Sequence, residues 1–572
     1  MLLIETGLVL LALLIAFIYP QLGSRWFESI EQRFSRLSRH RVLSIALVGI
    51  TALALRAAVL PIEPIPEPIV HDEFGYLLAA DTFAHGRLTN PTPPMWEHFE
   101  TFSVLMKPTF QCFAQPAQGM ILAFGKVVFG HPFWGVWLSI GLMCASITWM
   151  LQGWLPPEWA LLGGVLAILR YGVFGYWANS YWGGAAGAIG GALVIGALPR
   201  IKLAQRYRDA LLMGAGLAIL ANSRPFEGFV FSLPVACLLF AWLCGKKRPP
   251  FSISLRRVLL PLTLTMVLTA AGLGYYYWRV TGSPFRMPYQ IERATYGVAP
   301  YMLWQKMRPE PVYHNVVMRN MYAVEEVAGY KAFGSFLGLT LKLYIGWRFF
   351  LAPALTVPLL LLMFTLPKNF GIRDIQHSTL QLIFILVSAA VAWAVETFYN
   401  PHYSAPATGL ILLFVLLATR RLRNWGRSGL LLARAIPLVC IMSFTLRALA
   451  QPLHVPMNEF YEFSWYQKAP PSFGRAAVEK KLLQLPGDQL VIVHYAPDHE
   501  PFAEWVYNRA DIDGAKIVWA RELEATDNLR LLDYYKGRKT WLLDADDNPP
   551  RLTEYTDATP GSNVEAAAEQ TK

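Results

Sequence analysis

Long apolar runs recur along this chain, and they limit its fold more than any other feature. Most are about 17 to 22 residues long, the length that an α-helix needs to cross the hydrocarbon core of a bilayer. Only 16% of the residues are charged and 54% are apolar, whereas an ordinary soluble protein is about a quarter charged. The sequence therefore predicts a polytopic α-helical membrane protein with about twelve transmembrane helices, at 2–19, 43–60, 133–151, 158–176, 182–198, 210–222, 226–244, 258–276, 351–366, 379–397, 404–419 and 429–450.

Lysine and arginine cluster in loops that all fall on one side of the membrane if the predicted helices alternate, at 25–41, 200–208, 246–257, 368–373 and 420–427. Cytoplasmic loops are enriched in these residues, so the pattern predicts that these loops are cytoplasmic. The net charge of +11 then reflects topology, and no nucleic-acid partner is predicted. Loops 61–132 and 277–350 and the segment from Gln451 are predicted to be extracytoplasmic in a multi-pass protein of the cell membrane.

Changes in composition divide the chain into four predicted regions. Residues 1–42 form an N-terminal anchor helix and a basic cytoplasmic loop, because the first run has no preceding cation and no small-residue cleavage site. Residues 43–450 form the transmembrane core. Residues 451–549 form a small extracytoplasmic α/β domain, with strands at 490–493, 516–519 and 540–543 and helical segments near 501–509 and 523–536. Residues 550–572 form a disordered tail.

Glycines follow a four-residue spacing at the start of the fifth run, at Gly183, Gly187 and Gly191. Small residues at this spacing let membrane helices approach closely. We therefore interpret this segment as a packing surface and not as a ligand site.

Two adjacent carboxylates, Asp72 and Glu73, lie in the first large loop beside the membrane. Ionisable residues in this setting suggest a functional site. One carboxylate is suited to take a proton from a hydroxyl group while the other positions a substrate. The alternative is that both complement the dipole of a helix that begins after the proline-rich stretch 61–68. The two interpretations do not exclude each other, and the residues alone do not choose between them.

Two cations near the membrane surface are candidates for binding phosphate. Lys107 lies among aromatic and apolar residues of the same loop, and Arg224 follows a short apolar run. The alternative roles are contact with lipid headgroups for Lys107 and an ion pair with Glu227 for Arg224.

Neither a metal site nor a disulfide framework is predicted. The five cysteines have no metal-type spacing and lie mostly in or beside apolar runs. His71-x-Glu73 and His98-x-Glu100 are not standard metal spacings. The sequence names no certain cofactor and leaves open whether a divalent cation takes part.

At these residues the chain resembles the C-type (GT-C) membrane glycosyltransferases, especially the branch of protein O-mannosyltransferases and the aminoarabinose transferase of lipid A. The resemblance covers roughly residues 43–420 and rests on Asp72-Glu73, Tyr76, Gly86, Lys107-Pro108, Ser223-Arg224-Pro225 and His402-Tyr403-x-x-Pro406. The chain departs from the pattern at Thr109, where a second proline is usual, and at His402, where an arginine is common. An additional helix also precedes the usual first one.

The resemblance implies a GT-C fold and an inverting transfer of a sugar from a polyprenyl-phosphate donor to a hydroxyl group. Asp72 would deprotonate the acceptor, and Glu73 would position a substrate. Substrate binding would fall to Lys107, Tyr76, Arg224, His402 and Tyr403. The acceptor would be a lipid, a glycan or a protein, and the reaction would take place at the periplasmic face of a bacterial inner membrane.

Two other functional classes remain open at this stage. A lipid or solute transporter would be expected to show inverted repeats and interrupted helices at the membrane midplane, and no convincing repeat is visible. A noncatalytic scaffold of envelope biogenesis would use the C-terminal domain to bind other proteins. The sequence identifies neither the sugar, the acceptor nor the oligomeric state.

Overall fold

The computed structural model describes residues 1–245, 248–365, 376–457, 463–466 and 474–555. The cations at 246, 247, 368 and 373 and the predicted tail from 556 onward lie outside the described residues.

Helices build the membrane region, because in lipid a helix satisfies its backbone hydrogen bonds internally. The first half contains α1 (Leu2–Ile18), α2 (Ser24–Ser38), α3 (Arg41–Ala58), α4 (His71–Ala84), α5 (Pro116–Phe129), α6 (Phe133–Leu151), α7 (Pro157–Tyr171), α8 (Ala185–Ala204), α9 (Tyr207–Ser223) and α10 (Pro225–Cys244). The second half contains α11 (Phe251–Ser254), α12 (Leu260–Thr281), α13 (Pro288–Thr295), α14 (Val316–Arg319), α15 (Glu326–Phe333), α16 (Phe336–Phe350), α17 (Ala352–Thr365), α18 (His377–Val395), α19 (Thr408–Arg423) and α20 (Gly426–Ala448). Short 3₁₀ helices form at Trp96–Phe99 and Pro401–Ala407, and π-helical turns at Leu255–Leu259 and Asn320–Glu325.

The described residues contain eight helices that are long and apolar enough to cross a membrane, or nine if α16 and α17, bent by 104°, form one span. The polytopic helical class is therefore confirmed, whereas the predicted number of about twelve spans is not. Every predicted run contains a helix, but α1, α7, α9, α17 and α19 are shorter than 18 residues. Of these five, only α19 is among the eight, because the 3₁₀ helix Pro401–Ala407 extends it.

The predicted basic loop after the first helix is wrong in one respect, because residues 24–38 form helix α2. Its aromatic side chains Phe27 and Phe34, seven residues apart, pack against the membrane core, whereas Arg33 and Arg36 remain exposed. The segment is thus an amphipathic helix whose arginines lie on its outer face.

Helix α1 is built into the core and is not a separate anchor. Glu5 and Arg170 are 0% and 1% exposed, and their side chains form a bidentate ion pair at 2.5 and 3.2 Å. The Glu5 carboxylate also accepts hydrogen bonds from the Ala354 backbone N–H (3.0 Å) and the Trp465 indole (3.1 Å). One side chain therefore joins α1 to α7, to α17 and to the segment after α20.

The predicted close packing of the glycine-rich segment is confirmed at α8. A Cβ atom on Gly191 would lie 1.9 Å from the carbonyl oxygen of Pro406, and one on Gly187 would lie 3.2 Å from the Ala405 Cβ. The start of α8 therefore packs directly against the 3₁₀ helix Pro401–Ala407.

The C-terminal domain is an α/β unit, as predicted. The first two strands, β1 (Val104–Leu105) and β2 (Gln111–Cys112), lie outside this domain and form a short hairpin in the first large loop. The domain itself contains α21 (Arg475–Leu483), β3 (Gln489–His494), a 3₁₀ turn at Pro501–Ala503, β4 (Ile517–Arg521), α22 (Ala525–Tyr534), β5 (Lys539–Asp544) and β6 (Arg551–Glu554). The sheet order is β4-β3-β5-β6, with β6 antiparallel to β5 and the other pairs parallel.

Two predicted features of this domain are corrected. The helix near 501–509 is only the short 3₁₀ turn, because the backbone becomes extended at Glu504, whose carboxylate accepts the N–H groups of Trp505 (2.9 Å) and Val506 (2.8 Å). The tail was predicted to begin at 550, but Arg551–Glu554 pairs with β5 at the sheet edge. The side chains of this strand are mostly exposed, so it has no apolar run by which the sequence would predict it.

The C-terminal domain packs on helix α4. The Phe74 and Tyr507 rings stack in parallel with centroids 4.0 Å apart, and the Ala510 backbone N–H donates to Asp81 Oδ2 at 2.8 Å. Nearby, His98 Nδ1 lies 2.8 Å from the Arg521 carbonyl oxygen. Both ends of α4 are thus held by the domain.

Candidate active site

Helix α4 positions the two predicted catalytic carboxylates in its first turn. Val70 is the N-cap residue, and the Glu73 carboxylate accepts its backbone N–H at 3.0 Å. The same carboxylate accepts the backbone N–H groups of Ile69 (2.9 Å) and Tyr181 (2.8 Å). Burial raises the pKa of Glu73, although these three bonds favour its ionised form. Glu73 therefore fastens the start of α4, which is the helix-capping interpretation of this residue.

Asp72 has different surroundings, because its side chain points toward a cavity and is 22% exposed. Oδ1 accepts a hydrogen bond from the Ser103 hydroxyl at 2.7 Å, and Oδ2 accepts one from the Trp182 indole at 2.8 Å. His71 Nε2 lies 3.7 Å from Oδ1. Two donors thus fix the orientation of this carboxylate and leave its remaining lone pairs available.

The cavity beside Asp72 has a volume of about 190 Å³. Tyr76, Arg224 and Tyr403 line it as well, so four of the predicted site residues meet there. The Arg224 guanidinium lies 4.4 Å from the Tyr403 ring centroid and 3.5 Å from Glu227 Oε1. The rest of the lining consists of Phe113, Ala114, Gln115, Ser223, Pro225, Phe226, Glu227, Tyr289, Tyr301, Met302, Glu396 and Phe398.

Lys107 is not brought to this cavity. Its side chain is exposed, and its ammonium group lies 4.1 Å from the centre of the Trp96 ring. Lys107 therefore does not line the Asp72 cavity, and its binding of a phosphate stays a prediction. The sequence places Lys107 in the right loop, but the hairpin β1–β2 carries it away from α4.

His402 lies behind the cavity wall. It is buried, its Nδ1 is 2.9 Å from the Tyr176 hydroxyl, and its ring centroid is 4.8 Å from that of Trp182. It therefore packs against the indole that donates to Asp72 and does not line the cavity itself. Glu73 is likewise outside the lining.

A second and larger cavity, of about 730 Å³, lies next to the first and is almost entirely apolar. It is lined by residues of α16, α17, α18 and α19, with Trp347, Phe350 and Trp393 among them. Residues 396–404 contribute to both cavities: Glu396, Phe398 and Tyr403 face the first, and Tyr399 and Ser404 face the second. Lys342, which is buried in the wall of the apolar cavity, donates a hydrogen bond to the Glu396 carbonyl oxygen.

Sequence reasoning missed Ser103, Trp182, Lys342 and Glu396. Ser103 and Trp182 carry no motif, and only the folded chain brings them to Asp72. Lys342 and Glu396 did offer a signal, because a charged side chain within or beside an apolar segment suggests a functional role.

Across the described ranges, no group of three or more His, Cys, Asp or Glu side chains converges to hold a metal ion. Asp72 instead accepts hydrogen bonds from a hydroxyl and an indole group, and Glu227 pairs with a guanidinium group.

These features define a multi-pass helical membrane protein with an acidic cavity beside an apolar one. No model of a protein family matches the sequence, and no curated protein matches it. Among solved structures, the chain is similar to ArnT from Cupriavidus metallidurans bound to undecaprenyl phosphate, with 10% identity, a TM-score of 0.45, and 86% of this chain and 92% of that one covered.

The chain is also similar to the Archaeoglobus fulgidus oligosaccharyltransferase. The apo form has 11% identity and a TM-score of 0.44, over 88% of this chain and 69% of that one. The complex with Zn and sulfate has 12% identity and a TM-score of 0.45, over 87% and 67%.

Proposed function

We propose that this chain is an integral-membrane glycosyltransferase that moves a sugar from a polyprenyl-phosphate donor to an acceptor hydroxyl on the extracytoplasmic face. The observation that carries the proposal is the pair of adjoining cavities: one is lined by charged side chains that include Asp72 and Arg224, and the other is large and apolar. A lipid-linked sugar has the same division, with a polar sugar phosphate joined to a long apolar chain. The segment 396–404 would lie where the two parts of the donor meet.

Asp72 is the proposed general base. It would take the proton of the acceptor hydroxyl as that oxygen attacks the anomeric carbon. The new bond forms on the face opposite the leaving group, so the configuration is inverted. The carbon–oxygen bond to phosphate breaks, and the leaving polyprenyl phosphate takes its electron pair. Ser103 and Trp182 hold the carboxylate in one orientation during this step.

Arg224 is the proposed partner of the leaving phosphate. Its guanidinium provides a fixed positive charge at the cavity wall, and Tyr76 and Tyr403 place hydroxyl-bearing side chains beside it. A preorganised cation stabilises negative charge as it develops. Lys342, in the wall of the apolar cavity, is the second cation that we assign to the phosphate, in place of Lys107.

His402 and Glu73 are assigned positioning roles. His402 supports the Trp182 ring, and Glu73 fastens α4. The acceptor is a lipid, a glycan or a protein hydroxyl. The cation pattern supports an extracytoplasmic reaction, and the resemblance implies the periplasmic face of a bacterial inner membrane.

Sugar transfer by the purified full-length protein tests the proposal. Wild type, Asp72→Asn and Glu310→Gln are incubated with polyprenyl phosphates carrying a hexose, a deoxyhexose or a pentose, and with a total membrane-lipid extract as acceptor. Glu310→Gln is the matched control, because Glu310 is an exposed carboxylate of the second large loop.

We expect transfer by wild type and the control, and a loss of about 10²- to 10⁴-fold in Asp72→Asn, the range for a general base. Equal rates for Asp72→Asn and wild type would refute the assigned base. Absence of transfer by wild type with every donor would favour the transporter or scaffold function over this proposal.

A further inference from the structure

Glu396 stands in a fixed position at the wall of the polar cavity. It directly follows α18, and the backbone on both sides of it is paired with the second large loop: Leu303 N–H donates to the Val395 carbonyl (2.9 Å), and Thr397 N–H donates to the Tyr301 carbonyl (2.7 Å). The Glu396 side chain lines the same cavity as Asp72 and Arg224. Its location is thus set by the backbone before any ligand enters.

The Glu396 carboxyl group has no hydrogen-bond partner among the described residues. The residue is 6% exposed, and both carboxyl oxygens are buried. The nearby cations are engaged elsewhere, since Lys342 donates to the Glu396 main-chain oxygen and Arg224 pairs with Glu227. Buried polar groups nearly always have partners, because leaving one unpaired is costly. An unpaired carboxyl group at a cavity wall therefore points to a ligand that completes it.

Asp72 and Glu396 have contrasting surroundings; the third carboxyl group that lines this cavity, Glu227, pairs with Arg224. Asp72 accepts two hydrogen bonds from neighbouring donors, whereas Glu396 accepts none. Burial, followed by the nearby Glu227 charge, raises the pKa of Glu396 well above its usual range. A protonated carboxyl group both donates and accepts a hydrogen bond, which matches the donor and acceptor character of a hydroxyl group. When two carboxyl groups in one site have such different surroundings, their pKa values differ, and one can act as a base while the other donates a hydrogen bond.

We propose that Glu396 binds the sugar that is transferred, with its carboxyl group hydrogen-bonded to one ring hydroxyl. The site then selects sugars that carry a free hydroxyl at that position. This inference rests on the proposed function and adds a specificity-determining contact to it. Tyr301, whose carbonyl holds the neighbouring backbone, lines the cavity beside this contact.

Monodeoxy donor analogues test the contact directly. The donor that wild type uses fastest is compared with its analogues that lack one ring hydroxyl each, for wild type, Glu396→Ala and Glu396→Gln. Glu310→Gln again serves as the control outside the cavity. Thermal unfolding of each variant in detergent reports whether it is folded.

We expect wild type to discriminate by roughly tenfold or more against one analogue, because that analogue leaves the buried carboxyl group unpaired. Glu396→Ala should use this analogue and the parent donor at similar rates, and Glu396→Gln, which also donates and accepts, should retain most of the discrimination. The wild-type rate should fall at alkaline pH as Glu396 ionises, and Glu396→Gln should lack that fall.

A folded Glu396→Ala that loses the same factor of activity with every donor keeps the discrimination of wild type. That result would overturn the inference and leave Glu396 a structural role only. If Glu396→Ala does not fold, the pH dependence of Glu396→Gln decides. A transfer rate of Glu396→Gln that falls at alkaline pH as the wild-type rate does would overturn the inference. Failure of wild type to transfer any sugar is a different result, because it removes the proposed function itself.

Discussion

The Trp182→Phe substitution isolates one hydrogen bond to the proposed base. Trp182 Nε1 donates to Asp72 Oδ2 at 2.8 Å, and its ring packs against His402. Phenylalanine keeps an aromatic ring in that place but removes the donor. A hydrogen bond to a charged group contributes about 1.5–3 kcal/mol, and each 1.4 kcal/mol corresponds to about a factor of ten in rate. We therefore expect kcat/KM to fall roughly 10- to 100-fold, with Asp72 still present but held only by Ser103.

Trp137→Phe is the matched control. Trp137 also donates one indole hydrogen bond, to the Leu53 carbonyl at 2.9 Å, but it lies on α6 and lines neither cavity. Both variants lose one donor and some aromatic volume, so their thermal unfolding should shift by comparable amounts. Only Trp182→Phe should lose transfer activity. Equal activities of the two variants would refute the argument that this indole orients the base.

Two further predictions concern stability. Glu5→Ala should lower the free energy of unfolding by about 3–5 kcal/mol, because it leaves the Arg170 charge buried and unpaired. Denaturant titration in micelles measures this loss, and the additional substitution Arg170→Met should restore much of it. A loss below about 1 kcal/mol would contradict the ion-pair argument. In the C-terminal domain, the hydrogen bond with Glu522 raises the pKa of His494. The protonated His494 side chain therefore stabilises the fold below the usual histidine pKa of about 6.5, and this stabilisation is lost as pH rises through the raised pKa. Hydrogen exchange of β3 should speed up between about pH 6 and pH 9 beyond the intrinsic pH dependence, and His494→Gln should abolish this excess; an unchanged excess in the variant would contradict the assignment.

The sequence predicted the elements whose signal is local. Apolar runs located all eight helices that are long and apolar enough to cross a membrane, because the length and hydropathy of a run suffice for that purpose. They missed α16, which forms a bent pair with α17 and lies in the predicted outer loop 277–350. The strands β3, β4 and β5 were likewise visible as short apolar runs. By contrast, β6 has exposed, mixed side chains, and its strand geometry comes from pairing with β5. Helix α2 was missed because its arginines suggested a loop, although Phe27 and Phe34 have helical spacing.

The candidate site was predictable only in part, for a related reason. Asp72, Tyr76, Arg224 and Tyr403 belong to motifs, and the structure brings all four to one cavity. The partners of Asp72 are 31 and 110 residues away in the chain, and no periodicity links them. Lys107 shows the converse, since a motif residue near Asp72 in sequence lies outside the cavity. Proximity in sequence therefore identified the loop but not the arrangement within it.

The C-terminal domain restrains helix α4, whose first turn carries the buried Glu73 and the more accessible Asp72. The Glu73 carboxylate accepts three backbone N–H groups and fixes the start of the helix. Near the other end, the Asp81 carboxylate accepts the Ala510 N–H of the domain. Phe74, between them, stacks on Tyr507. With both ends and one face of α4 restrained, Asp72 is left to rotate only about its own side chain, and Ser103 and Trp182 remove that freedom too. A domain that contributes no residue to either cavity lining thus acts on the proposed reaction through the placement of one carboxylate.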